Sequence, residues 1–276
     1  MAMSVNTNQA ALVALQNLNK TNMSLGDVQN RISTGLAINS AKDNASVWAI
    51  AQGQRADIGS LAAVKMSLDR AKSISDVAST AGSSISDLLV QMKEKVVAAM
   101  DPSIDSTSRT ALDSDFKSIL RQIIQVTQNA NFDGANLLDG SITPGIKFIA
   151  NADATGFITL STQNMSLGGS LISVASTASL GTITFAPAIL AQLPTSITKV
   201  NAALGNLGSQ ATQIENHAAF VSKLTDQLNT GVGNLVDADL AKESARLQAL
   251  QVQQQLGAQA LSIANQAPQI ILQLFK

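Results

Sequence analysis

The residue types that most often carry chemistry are scarce in this sequence and far apart. Cysteine is absent from the 276 residues, and His217 is the single histidine. Because a metal site needs several converging donors, His217 is interpreted as a side chain at the boundary of a helical core. The Gly231-Val232-Gly233 run lacks the flanking strand and third glycine of a nucleotide-binding loop. The sequence therefore predicts no catalytic residues, no metal and no cofactor.

Composition favours a helical architecture and gives no indication of a nucleic-acid partner. The formal net charge is −1, which gives no reason to expect a nucleic-acid partner. Only 3% of the residues are aromatic and tyrosine is absent, so the core must consist mainly of Ala, Leu, Ile and Val. Cores of that composition suit long helices that pack closely, and the absence of cysteine excludes disulfides and thiolate metal sites.

The end of the chain reads as a helix with apolar side chains on two faces and no charge between Leu247 and Phe275. Helical spacing generates two rows. The first is Ala249, Val252, Leu256, Ala260, Ile263, Ala267, Ile270 and Leu274, and the second is Leu247, Leu250, Leu261, Ala264, Ile271 and Phe275. Nine glutamines between Gln248 and Gln273 argue against a membrane span. A surface helix normally has a charged outer face, so we expect this segment to become ordered when other subunits surround it.

The beginning of the chain shows the 3.5-residue repeat of a coiled coil. The repeat is Ala11, Ala14, Leu18, Thr21, Leu25, Val28 and Ile32. Gly35 stands where a C-terminal cap is expected, and residues 33–44 read as an irregular connector. No basic residue precedes Lys20 and no compact apolar run ends in a cleavage site, so a Sec-type signal peptide is not expected.

Three further helical repeats and one region of different character lie between the ends. The first repeat comprises Leu61, Val64, Leu68, Ala71, Ser75, Ala78, Gly82, Ile85, Leu89, Met92, Val96 and Ala99. A helix over about 106–130 and a heptad repeat from Ile197 to Leu235 follow. Between them, Ile146–Ile149 and Phe157–Leu160 flank a turn and predict one or two β-hairpins. The predicted fold is mainly α: a long antiparallel helical hairpin and coiled-coil bundle with paired terminal helices and a small β-hairpin region at the far tip.

Two motifs at opposite ends resemble those of bacterial flagellins. At the N-terminal side these are Arg31-Ile32-Ser33-Thr34-Gly35-Leu36, Ile38-Asn39-Ser40-Ala41-Lys42-Asp43 and Ala49-Ile50-Ala51. At the C-terminal side they are Asp237-Ala238-Asp239, Ala241, Glu243, Gln254-Gln255, Gly257, Leu261, Ala264-Asn265-Gln266, Pro268 and Leu272. The resemblance covers about 1–140 and 190–276, and the short central part is most similar to the compact flagellins of alphaproteobacteria.

The resemblance implies a structural subunit of the flagellar filament that self-assembles helically through its terminal helices for swimming motility, and not an enzyme. It implies four parts: an inner terminal-helix domain of 1–32 and 239–276, a connector of 33–44, a helical core of 45–140 and 190–238, and a small β-rich outer part of 141–189. Expected partners are other copies of the chain, sibling flagellins, hook-associated junction proteins, the filament cap and an export chaperone, with no nucleic acid and no membrane insertion. The expected location is the extracellular filament, reached by type III export without a cleaved signal peptide.

The resemblance and the repeats together nominate residues for three roles. Polymerisation is expected to involve Leu18, Leu25, Val28 and Ile32 in the first helix and Val252, Leu256, Leu261, Ile263, Asn265, Ile270 and Leu274 in the last. The connector motif is Arg31, Gly35, Asn39, Lys42 and Asp43, with an ion pair near Lys42 and Asp43 left open between one subunit and two. O-glycosylation, as in some flagellins, is weighed against a merely polar surface for Ser161, Thr162, Ser166, Ser170, Ser173, Ser176, Thr177, Ser179 and Thr182.

Two rival functions remain beside this one. A hook–filament junction protein shares flagellin-like ends, but the completeness of the stretches Asp237–Asp239 and Ala264–Pro268 favours a flagellin. A membrane-acting type III secreted coiled-coil protein would need an uninterrupted apolar span, which the glutamines of the last helix argue against.

Overall fold

A computed structural model of the chain describes the backbone of residues 7–182 and 184–274 and the side chains through Gln266, apart from residue 183. The helices are α1 Gln9–Thr34, α2 Ala45–Ala99, α3 Ser106–Asn129, α4 Ala186–Val236 and α5 Leu240–Leu274. The strands are β1 Asn131–Phe132, β2 Ala135–Asn136, β3 Gly145–Ile149 and β4 Phe157–Ser161. The element order is the one that the sequence predicts, with a mainly helical fold and a small β region before α4.

The chain divides into two compact units. Met1–Ala56 and Gln227–Lys276 form one, which we call the terminal unit, and Asp57–Asp226 form the other, the central unit. The first and last parts of the sequence therefore meet in one unit. The side-chain amide of Asn8 is hydrogen-bonded to the backbone carbonyl of Ala264, although more than 200 residues separate the two.

The core of the central unit lies between α2, α3 and α4. Every position of the repeat predicted between Leu61 and Ala99 is buried, which confirms the helical period. α4 runs antiparallel to α2, because Lys72 pairs with Glu215 at 2.7 Å and Ser86 donates to Asn201 at 2.9 Å. At Gly82 a Cβ atom would lie 2.7 Å from Leu204 Cδ2, so the glycine permits a close approach of the two helices.

Two antiparallel hairpins follow α3. The first, β1–β2, turns at Asp133 (φ 51°) and Gly134 (φ 78°), the paired positive angles that match the right-handed twist of the strands. The second, β3–β4, pairs Gly145 with Ser161 and Ile149 with Phe157, which confirms the predicted hairpin and gives its register. The sequence placed no strand at β1 or β2, since a strand of two residues has no measurable period.

Regular pairing ends at Ser161, and the described residues between Ser161 and α4 form an irregular segment instead of further strands. Its apolar side chains nevertheless reach the core, where Met165, Ile172, Val174 and Leu180 are fully buried. Asp113 of α3 holds the end of this segment. Its Oδ1 accepts hydrogen bonds from Ser179 Oγ at 2.8 Å and from Leu180 N at 2.6 Å, and Lys117 Nζ lies 2.7 Å from its Oδ2.

We expect the attachment at Asp113 to weaken in acid. Burial alone would raise the pKa of Asp113, but the hydrogen bonds from Lys117, Leu180 and Ser179 lower it below the ordinary value of 3.8. A depressed folded-state pKa stabilises the fold fully above 3.8, and this contribution is lost as the pH falls below that value. The protection factor of the Leu180 amide, corrected for intrinsic exchange, should therefore drop between pH 5 and pH 3.

Two variants distinguish this effect from general acid unfolding. Asp113→Asn should lower the protection of Leu180 at neutral pH and remove most of its acid dependence, whereas Asp87→Asn, at an exposed position, should leave both unchanged. Equal acid dependence in the wild type and in Asp113→Asn would contradict the proposed role of this carboxylate.

Candidate functional site

α1 and α5 pack against each other antiparallel along the terminal unit, as the sequence predicts for the paired terminal helices. Asn8 Nδ2 donates to the carbonyl of Ala264 at 2.6 Å, and Gln254 Nε2 donates to Asn22 Oδ1 at 2.8 Å. At the other end of the pair, Arg31 lies beside Glu243. The contact between the two helices, which we call the seam, therefore extends over nearly the whole of α1.

The seam uses the coiled-coil row of α1. Val28 is 2% exposed, while Leu18, Leu25 and Ile32 are half-buried. Near the middle, a Cβ atom at Gly257 would lie 3.3 Å from Leu18 Cδ1, so the absence of a side chain lets the helices come close. The row predicted for polymerisation in α1 thus has a partner within the same chain. Leu261 of α5 is half-buried as well.

The seam leaves a second apolar surface of α5 uncovered. Val252, Leu256 and Ile263 are 56%, 61% and 63% exposed, and Asn265 is also exposed. They belong to the first of the two predicted rows, which follows one side of the helix. The predicted residues Ile270 and Leu274 lie in the helical backbone of α5 but outside the described side chains.

α1 also carries exposed apolar side chains, which the sequence analysis did not single out. Leu12, Val13, Leu15 and Met23 are between 43% and 65% exposed. The heptad repeat drew attention to the seam row alone. The signal that was available is the same as in α5, an uncharged sequence from Gln9 to Asn19 with apolar residues beyond one helical face.

A groove runs along one side of the seam and has a volume of about 1000 Å³. Both helices line the groove, and Lys20 is the one charged residue among the lining residues. The lining residues are Gln9, Ala10, Val13, Ala14, Asn17, Leu18, Lys20, Thr21 and Ser24 from α1, and Leu250, Gln253, Leu256, Gly257, Ala260 and Ala264 from α5. An apolar groove of this length indicates a surface suited to another helix.

An ion pair closes the seam near the connector. Glu243 Oε1 lies 3.4 Å from Arg31 Nη1, and the side chains are 9% and 35% exposed. Glu243 Oε2 is buried and has no hydrogen-bond partner among the described residues. Because an unsatisfied buried oxygen costs about 1–3 kcal/mol, this pair should contribute little net stability to the contact. Both residues belong to the family motifs, but their pairing was not predicted.

The connector joins the ends of two helices by backbone hydrogen bonds. Gly35 caps α1 in the left-handed conformation (φ 73°), as predicted, and its carbonyl accepts from Ala238 N at 2.9 Å. In return, Ala37 N and Ile38 N donate to the carbonyl of Val236 at 2.7 and 3.3 Å. These hydrogen bonds join the segment that follows α1 to the segment that follows α4. The end of α1 and the beginning of α5 are therefore held close together.

Asp43 organises the rest of the connector. Its Oδ2 accepts from Ser40 N at 2.9 Å and Asn39 N at 3.1 Å, and also from Ser40 Oγ at 3.2 Å. The backbone hydrogen bonds from Ser40 and Asn39 lower the pKa of Asp43. Lys42 is exposed and has no ion-pair partner within the described part of the chain, so the version of the ion pair that joins two subunits stays a prediction.

The described residues were also compared with the requirements of a metal site and of a membrane span. His217 Nε2 lies 2.8 Å from the carbonyl of Ala150, and its ring contacts Phe220. Within the described ranges there is no group of three or more His, Cys, Asp or Glu able to hold a metal ion. A search of the described helices finds none with both the length and the apolarity needed to cross a bilayer.

Comparison with known proteins agrees with this arrangement. Family models described as the bacterial flagellin N-terminal and C-terminal helical regions match residues 5–143 and 190–275. The chain is 54% identical to flagellin FljJ of Caulobacter vibrioides, over 100% of this chain and 99% of that protein. It is 39% identical to a flagellin of Brucella melitensis, over 99% of both chains.

Solved structures show the same fold at low sequence identity. The crystal structure of Bacillus cereus flagellin superposes with a TM-score of 0.50 and 22% identity, over 56% of this chain and 88% of that one. A putative flagellar hook-associated protein from Vibrio parahaemolyticus gives 0.54 and 14% identity, over 71% of this chain and 100% of that one. These two likenesses concern the fold alone. The matches at both ends and the full-length identity show that the chain belongs to the bacterial flagellin family.

Proposed function

We propose that this flagellin, a structural subunit of the bacterial flagellar filament, polymerises through the uncovered apolar surfaces of its paired terminal helices. The observation that carries the proposal is the apolar row of α5 in which Val252, Leu256 and Ile263 are more than half exposed. The described members of the other row are half-buried, and they are Leu247, Leu250, Leu261 and Ala264. A contiguous apolar surface of this kind is uncommon on a monomeric soluble protein. Neighbouring copies in the helical polymer are the natural cover for it.

The seam itself supports the same proposal. Val28 is the one buried residue of α1 among those described, and Glu243 is the one buried residue of α5 through Gln266. A helix pair with so little buried apolar surface gains little stability from packing. We infer that α1 and α5 become firmly ordered when further copies cover their outer faces.

The four-part organisation is proposed on the same grounds. Residues 1–32 and 239–276 would form the inner part of the filament, and 33–44 the connector. Residues 45–140 and 190–238 would form the helical core domain, and 141–189 the outer part. The backbone hydrogen bonds that join the connector to Val236 and Ala238 support the connector as a part of its own. In this assignment Arg31, Gly35 and Asp43 hold the connector, and Asn39 and Lys42 lie on its exposed surface.

Further partners follow from the family. As a filament subunit the chain functions outside the cell, and we propose that it leaves by the flagellar type III route without a cleaved signal peptide, accompanied by an export chaperone. Hook-associated junction proteins, the filament cap and sibling flagellins would meet the same terminal surfaces. No catalytic role is proposed, because the groove and the exposed rows contain no arrangement of nucleophile, base and orienting group.

The candidate glycosylation sites differ in how free their hydroxyl groups are. Ser179 Oγ donates to Asp113, Ser173 Oγ contacts Ser196 Oγ at 3.2 Å, and Ser166 Oγ donates to the carbonyl of Asp139 at 3.3 Å. Ser170, Ser176, Thr177 and Thr182 are exposed and make no side-chain hydrogen bond within the described part of the chain. Modification is therefore proposed first for these four residues.

Mass spectrometry of peptides from native filaments should find added sugar on one or more of Ser170, Ser176, Thr177 and Thr182. Alanine at all four positions should remove that mass, whereas Ser179→Ala should keep it. Sugar confined to Ser179 or Ser173 would contradict this selection, because modification there would have to break existing hydrogen bonds.

Seeded growth tests the main proposal against a junction protein. Purified chain added to short filament seeds should extend them into long filaments that electron microscopy can measure, with a length that increases with added protein. A junction protein would add a limited number of subunits and stop. Seeds that never exceed such a short extension would contradict the assignment as the repeating subunit.

A further inference from the structure

The terminal helix pair has two different apolar surfaces on opposite sides. The groove along the seam lies on one side, with Asn17 of α1 and Ala260 of α5 among its walls. Leu12, Leu15 and Met23 of α1 form a second exposed group, which we call the ridge. Each residue turns an α-helix by about 100°, so Leu12, Leu15 and Met23 stand roughly 120–160° around α1 from Asn17. The ridge therefore points away from the groove.

We propose that the ridge of one copy docks into the seam groove of the next copy. This inference deepens the proposed function and rests on it, since it specifies which faces meet when the terminal helices polymerise. Surfaces that differ and lie on opposite sides of one unit make a heterologous contact, which repeats without closing unless the rotation returns to the start. Such a contact generates an open helical polymer, the form that a filament subunit must adopt.

The two surfaces match in chemistry and in length. The ridge carries no charge, and Lys20 is the single charged residue lining the groove. At 1.5 Å per residue, the ridge from Leu12 to Met23 extends for about 16 Å along α1, and the α1 wall of the groove from Gln9 to Ser24 for about 22 Å. The groove is therefore long enough to receive the whole ridge. Near the middle of the groove, the α5 residues Gly257 and Ala260 have no side chain or a small one, which lets a helix approach closely.

Cross-linking between separately labelled copies tests the contact, because the native chain has no cysteine. Leu12→Cys subunits grown in ¹⁵N medium would be co-polymerised with unlabelled Ala260→Cys subunits, and the filaments oxidised mildly. We expect disulfide-linked dimers that contain one labelled and one unlabelled chain. Their yield should exceed that of dimers between two like subunits by at least tenfold.

The matched control moves the second thiol to another side of the same helix. Gln255→Cys lies roughly 140° around α5 from Ala260 and is exposed, so mixed filaments of Leu12→Cys and Gln255→Cys should yield few mixed dimers. Leu15→Cys with Gln253→Cys provides a second ridge-and-groove pair if either substitution of the first pair prevents polymerisation.

The outcomes separate this inference from the function on which it rests. Filaments that cross-link position 12 mainly to position 255, or to position 12 of another copy, would overturn ridge-in-groove docking while leaving terminal-helix polymerisation intact. Docking of the ridge into the groove is also overturned if both ridge-and-groove pairs polymerise without cross-linking. If no cysteine pair polymerises, charged substitutions on the ridge decide instead: native-like filaments from such variants would overturn the docking. Failure of the unaltered chain to extend seeds would instead reject the proposed function.

Discussion

Removal of residues 247–276 is expected to abolish filament formation and leave a monomer with a folded central unit. The deletion takes away most of α5, including the exposed Val252, Leu256 and Ile263, and with it both the outer row and the seam. α1 then loses its partner, because Leu18 and Val28 have no α5 surface on which to pack. Most of the stability of a helix in a protein comes from the packing of its apolar face, so α1 should lose much of its helical structure.

The central unit should not be affected, since the salt bridge between Lys72 and Glu215 and the buried row from Leu61 to Ala99 lie outside the deletion. Light scattering should give the monomer mass, electron microscopy should find no filaments, and circular dichroism should retain the helical signal of α2, α3 and α4. Hydrogen exchange at Leu89 and Met92 should match the full-length chain. Filaments of normal length from the truncated protein would show that the terminal helices are not the means of assembly.

The central unit was predictable from sequence because its partners are in the same chain. All positions of the α2 repeat are buried, and the ends of α3 agree with the prediction to within a residue. The hairpin of β3 and β4 was also found, since the turn between Ile149 and Phe157 separates two short apolar runs. In these cases a period in the sequence has one possible cause, the burial of one face.

The terminal unit was less predictable because its helices have two apolar faces. A period shows that a face is buried but cannot say whether the cover belongs to the same chain or to another. Leu18 and Val28, predicted for polymerisation, pack in the seam, while Leu12 and Met23 remain exposed. The pairing of Arg31 with Glu243 depends on the register of two helices far apart in sequence. Neither residue type nor spacing contains that register.

Acidic substitutions on the outer row of α5 are expected to prevent polymerisation without unfolding the subunit. Leu256 and Ile263 are 61% and 63% exposed in the single chain, so Leu256→Asp with Ile263→Asp removes few intrachain contacts. In a filament the two carboxylates would be covered by neighbouring copies and would lack partners. At roughly 3 kcal/mol for each buried unpaired charge, the two substitutions cost roughly 6 kcal/mol together, so the affinity between subunits should fall by about 10⁴-fold. Seeded growth should therefore stop at concentrations where the native chain polymerises.

The matched control, Leu256→Met with Ile263→Val, keeps both side chains apolar and should polymerise at nearly the native concentration. Normal filaments from the acidic variant would mean that this row faces water in the polymer, and the proposed inner position of α5 would then be wrong.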